Sequence, residues 1–132
     1  MSLVIIISCL IIENLTRYFL RDSINLSHNP GVAFGIMQDF PGAALTLSII
    51  ACLIILCVCL FARMNKLSRF GLAFISGGAL SNLLERIFFG YVIDWIDSPF
   101  LIDIRFNLSD IFISLGALIV LISLIKRENP GV

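Results

Sequence analysis

The chain has 132 residues, of which 59% are hydrophobic and 14% charged, and its formal net charge is zero. With a mean hydropathy of +1.05 it is too apolar for a soluble domain. The charge balance gives no reason to expect nucleic acid as a partner. The length holds about four membrane spans of ~20 residues and leaves almost nothing for a separate soluble domain. The expected architecture is a single membrane domain over 1–132: an all-α integral membrane protein of four transmembrane helices, with a small β element and a short flap segment outside the membrane.

The first apolar run covers 3–20. It lacks a basic start and a small-residue cleavage pattern, so a retained span is expected rather than a signal peptide. Glu13 and Arg17 near its end are spaced i,i+4 and share a helix face. Next, Asn29-Pro30-Gly31-Val32 reads as a turn, with Pro fixing φ and Gly supplying positive φ. Ile24, Leu26, Val32, Phe34 and Ile36 flank it in rough alternation, which predicts a half-buried β element at the membrane surface. His28, Asp22 and Asp39 read as ordinary loop residues. The second span, 40–61, opens with Pro41, which suits a first helical turn.

The third span, 67–89, ends with Asn82 and Arg86 at i,i+4, with Glu85 beside them. The segment Gly90 to Phe106 contains Asp94 among aromatic and branched residues suited to an interfacial belt, followed by Asp97 and Asp103 in what reads as wetted loop. The fourth span, 108–125, is preceded by Asn107. Asn107-x-x-Asp110 fits an N-cap with an acid at the third helical position. Cys9, Cys52, Cys57 and Cys59 all lie in apolar runs and read as small packing residues. With one histidine and no CxxC pair, neither a metal nor a cofactor is expected.

Basic residues orient the bundle. Arg63, Lys66 and Arg69 cluster between spans two and three, and Lys126 and Arg127 follow span four. The positive-inside bias makes that side, and both termini, cytoplasmic. Asp94 and Asp110 then belong to the outer face. Glu13, Arg17, Asn82, Arg86 and Asn107 gather near the same ends, and nothing comparable is expected to interrupt the inner halves. A carboxylate near lipid is costly unless paired, solvated or protonated, which makes it a functional-site candidate. Two that share a site suggest an acid/base dyad. An ion pair at Glu13–Arg17, interhelical bonding or snorkelling at Asn82 and Arg86, and capping by Asp110 are the plain structural alternatives. None of them accounts for Asp94.

These residues resemble the lipoprotein signal peptidases, or signal peptidase II. Asn29-Pro30-Gly31-Val32-Ala33-Phe34 is similar to that family's N-x-G-x-A-F element. The run Gly77 to Arg86 followed by Gly90-Tyr91-Val92-Ile93-Asp94 resembles its GGA-x-x-N-x-x-D-R…G-x-V-x-D block, and Phe106-Asn107-Leu108-Ser109-Asp110 its F-N-x-A-D block. Glu13-Asn14-Leu15-Thr16-Arg17 is similar to D-Q-x-T-K, with Glu for Asp and Arg for Lys. Glu85 stands where the family has Asp, and Ser109 where it often has Ala. The first outer segment is also short for the family.

The resemblance implies a bacterial inner-membrane aspartic endopeptidase that cuts prolipoproteins just before a diacylglyceryl-modified cysteine. It makes Asp94 and Asp110 catalytic, and Asn29, Gly31, Asn82, Arg86, Asn107, Glu13 and Arg17 supporting or substrate-binding. The expected partners are the lipidated signal peptide and membrane lipids, with the enzyme a monomer. Two alternatives stay open: a non-catalytic relative that binds lipidated peptides, and a small ion- or proton-conducting bundle.

Overall fold

The computed structural model describes residues 2–20, 26–31, 39–98 and 104–128. In chain order these form α1 (Ser2–Leu20), β1 (Ser27–Asn29), α2 (Pro41–Phe61), α3 (Lys66–Phe89), β2 (Val92–Asp94), β3 (Ile96–Asp97), β4 (Arg105–Phe106) and α4 (Leu108–Glu128). All four helices are long and apolar enough to cross a membrane. Helix α4 runs past the expected residue 125 to Glu128, and Lys126 is a good helix former placed where the helix dipole favours a cation.

Helix α3 is the hub, packing against α1, α2 and α4. Lipid tails are as apolar as leucine, so close packing rather than hydrophobicity must hold membrane helices together. Small residues permit it. A Cβ on Gly71 would meet the Gly116 carbonyl at 2.7 Å, and one on Gly78 would collide with the Ser109 carbonyl. Cys9 of α1 fills the space beside Gly77, in keeping with a packing role. Helix α2 is the opposite case: only Ala44 of its residues is buried, and Leu53, Ile54 and Leu60 point outward as lipid-facing side chains would.

Helix ends are set locally. Pro41 opens α2. Asn65 caps α3 by accepting the Ser68 N–H at 2.8 Å, and Gly90 ends that helix in the left-handed region at φ 81°. The turn at Gly90 aims the chain back over the bundle, where β2 pairs antiparallel with β1 through Ser27↔Asp94, His28↔Ile93 and Asn29↔Val92. β3 and β4 pair through Ile96↔Phe106 and Asp97↔Arg105.

Two expectations change. The described strand of the β element, β1, pairs with β2 in the segment expected to be a separate flap. Ile24, Val32, Phe34 and Ile36 lie outside the described residues. The inner halves are also not free of polar contacts. Ser68 Oγ donates to Ser123 Oγ at 2.8 Å, and Ser123 Oγ donates to Asn65 Oδ1 at 2.8 Å. Serine is small enough to sit in a helix–helix seam, so hydropathy alone does not reveal such a pair.

Candidate active site

Asn107 is the joint of the site. As N-cap of α4 its Oδ1 accepts the Asp110 N–H at 3.1 Å, while its own N–H donates to Asp110 Oδ2 at 3.2 Å. This reciprocal pattern is a capping box, made here with Asp. With its carbonyl oxygen committed to the cap, the Asn107 amide nitrogen reaches sideways. It donates to Asp94 Oδ1 at 2.9 Å and to Asn82 Oδ1 at 3.3 Å. One wholly buried side chain thus touches both carboxyl-bearing segments.

The remaining oxygens are also engaged. Asn82 Nδ2 donates to Asp110 Oδ1 at 3.0 Å, and Asn29 Nδ2 donates to Asp94 Oδ2 at 3.0 Å. Asn29 Oδ1 accepts the Gly31 N–H at 3.0 Å, which fixes the turn as an Asx turn. Arg86 does not snorkel. It is buried, and donates to the Gly31 carbonyl at 2.7 Å and to the Asn82 carbonyl at 3.3 Å. Gly31, Asn82 and Arg86 are therefore coupled to the two aspartates through backbone and amide contacts.

Asp94 is 4% exposed, and its pKa is pushed up to about 6. Burial is the main cause. The amide donors Asn29 and Asn107 and the charge of Arg86 oppose the rise, while the neighbouring Asp110 charge adds to it.

Glu13 and Arg17 support this centre from below rather than forming an isolated pair. Arg17 donates to Glu13 Oε1 at 2.7 Å and also pairs with Glu85 on α3. Glu85 Oε2 accepts the Ile93 N–H at 3.1 Å, and Glu13 Oε1 lies 3.5 Å from the Trp95 indole nitrogen. The residues on both sides of Asp94 are thus tied to one buried ion triad. Glu85 and Trp95 were not among the expected site residues. The available signal was charge balance, because a buried Arg17 flanked by two acids calls for pairing with both. Ser109 is fully buried beside Gly78, and its hydroxyl has no hydrogen-bond partner among the described residues.

The other candidates stay apart. His28 is exposed and stacks on Tyr91 with ring centres 4.3 Å apart. Asp97 pairs with Arg105 at the surface at 2.7 Å, and Asp39 is exposed. Asp22 and Asp103 lie outside the described residues.

The model of the signal peptidase II family matches residues 4–126. The chain belongs to the signal peptidase II family. Similar proteins include the lipoprotein signal peptidase of Caldicellulosiruptor bescii, 33% identical over 94% of this chain and 90% of the relative. That of Moorella thermoacetica is 32% identical over 83% of each. Two solved bacterial membrane enzymes share the fold, with TM-scores of 0.85 and 0.77 at 22% identity, covering 99% and 95% of this chain and 91% and 92% of theirs. Membership of the signal peptidase II family makes the chain a multi-pass inner-membrane aspartic peptidase that removes signal peptides from prolipoproteins.

Proposed function

We propose that Asp94 and Asp110 are the catalytic pair, cutting the peptide bond just before a diacylglyceryl-modified cysteine. The carrying observation is that Asn107 bonds both carboxyl groups, from segments that otherwise share no element. Asp94, with its raised pKa, is suited to hold a proton for the scissile carbonyl oxygen. Asp110, at a helix N-terminus, is suited to accept one from water. Attack by that water gives a gem-diol without an acyl-enzyme. Proton return from Asp110 to the leaving nitrogen, and from the gem-diol to Asp94, completes the cleavage and restores both groups.

Asn29, Asn82, Arg86 and Asn107 hold this geometry, with Gly31, Glu13 and Arg17 behind them. The β1–β2 ribbon over the site limits water access. An apolar signal helix and a lipid-bearing cysteine both partition into the bilayer, so substrate enters laterally between the helices. The cluster of Arg63, Lys66, Arg69, Lys126 and Arg127 supports cytoplasmic termini and a site at the outer face.

Asp94→Asn and Asp110→Asn, made separately and assayed for prolipoprotein cleavage in detergent, test the pair. Each is expected to lose at least about 10³-fold in kcat, as loss of an acid/base partner does, while still binding the lipidated signal peptide. Full turnover by either variant contradicts the assignment. Retained peptide binding separates an enzyme from an ion-conducting bundle.

A further inference from the structure

The end of the bundle opposite the aspartates contains a cavity that the peptidase reaction does not use. It is an open depression of about 560 Å³, and its lining includes Arg63, Arg69 and Lys126 together with Asn65 and Ser123. That volume lies within the ~300–1,000 Å³ typical of small-ligand pockets. None of the three cations has a carboxylate partner among the described residues. A second cavity of about 260 Å³ adjoins it, sharing Met64 and Arg69, and is lined mainly by apolar and small residues such as Ile6, Ala62, Leu72 and Ala73.

We infer that the two cavities together bind an anionic phospholipid, with the phosphate among Arg63, Arg69 and Lys126 and the upper acyl chain in the apolar cleft. Three observations combine. Guanidinium groups bind phosphate oxygens through paired charge-assisted hydrogen bonds, and basic pockets between helices at a membrane surface suit anionic headgroups. The loop carrying Arg63 is held in place: Asn65 accepts from both the Ser68 N–H and the buried Ser123 hydroxyl at 2.8 Å, so little ordering is left for the ligand to impose. Leu67, in the first turn of α3, also lines the cavity, and its N–H is a donor that the helix itself cannot satisfy. The apolar cleft distinguishes a lipid from free phosphate, because only a lipid occupies both cavities. The lipid lies in the leaflet away from the aspartates, which the topology proposed above makes the inner one. Its binding does not depend on which residues cut the substrate.

The test uses the full chain in an uncharged detergent, with native mass spectrometry of bound phosphatidylglycerol, phosphatidylcholine, deacylated glycerophosphoglycerol and inorganic phosphate. Phosphatidylglycerol is expected to bind at least about tenfold more tightly than phosphatidylcholine, following the charge contribution of several basic residues. The deacylated headgroup and inorganic phosphate are each expected to bind at least tenfold more weakly than the lipid. The combined Arg63→Gln, Arg69→Gln and Lys126→Gln variant is expected to lose the preference while still cleaving prolipoprotein. Equal binding of the two lipids, displacement of lipid by equimolar inorganic phosphate, or an unchanged preference in a cleaving variant each overturns the inference. If the variant does not fold, the wild-type preference is measured at low and high salt. A preference that shrinks with salt supports the site, and one indifferent to salt overturns it.

Discussion

The two ends of the bundle use polar residues in opposite ways. At the aspartate end, Glu13, Arg17, Glu85, Arg86, Asp94 and Asn107 are buried, and their contacts link three helices and the β1–β2 ribbon. At the other end, Arg63, Lys66, Arg69 and Lys126 are exposed, and a compact Asn65–Ser68–Ser123 group joins α3 and α4. Buried charge must be paired and oriented, and this gives a fixed geometry that acid/base chemistry can use. Exposed charge remains available to solvent and headgroups. The same bundle therefore holds a closely bonded polar centre at one end, where the catalytic pair is proposed, and an open electrostatic surface at the other.

Substitutions should separate the two ends by size of effect. Asn107→Ala removes the amide between the aspartates along with the α4 cap. It is expected to lower kcat by about 10²-fold or more, as misplacement of reacting groups does, in a cleavage assay on purified enzyme. A variant with near-normal kcat would mean that the aspartates are positioned by something else.

Arg17→Met comes next. It leaves Glu13 and Glu85 buried without their cation, and is expected to destabilise the fold by about 3–5 kcal/mol, the range for breaking a buried ion pair from one side. Chemical unfolding in detergent reads this, and a loss near zero would make the triad incidental. Arg17→Lys, which keeps the charge, should recover part of both stability and cleavage.

The pH dependence is a subtler probe. Because the folded pKa of Asp94 is raised to about 6 from 3.8, the fold holds that proton more tightly than the unfolded chain does. Stability from this group is thus greatest below about pH 4 and is lost as pH rises through about 6. In kcat/KM the same proton gives a basic limb that begins near that value, and Asp94→Glu should move it. At the basic end, Ser123→Ala is expected to cost only about 1–2 kcal/mol, the usual worth of its two interhelical hydrogen bonds. Cleavage should not change. A Ser123→Ala effect on kcat would show that the ends are coupled.

Much of this arrangement was legible in the amino-acid order because its signals are local. The four apolar runs, Pro41 at a helix start and the Asn107–Asp110 cap each follow from residues within a few positions of one another. Asp94 stood out because no local structural role accounted for it. Long-range pairing was harder to read. Three-residue strands carry too little pattern to reveal that β1 meets β2, with Asn29 and Asp94 bonded across 65 positions. The contact of Glu13 with Trp95, 82 positions apart, was hidden for the same reason. Ser68 and Ser123, 55 positions apart, escaped notice because serine does not interrupt an apolar helix.

The most direct measurement is a carboxyl-carbon NMR titration of Asp94 in the detergent-solubilised enzyme, wild type and Asp110→Asn. Asp94 is expected to titrate near about 6 in the wild type, and at a lower pH once the neighbouring charge is removed. A value in the ordinary aspartate range, or one indifferent to Asp110→Asn, would mean that the two carboxyl groups do not share a site.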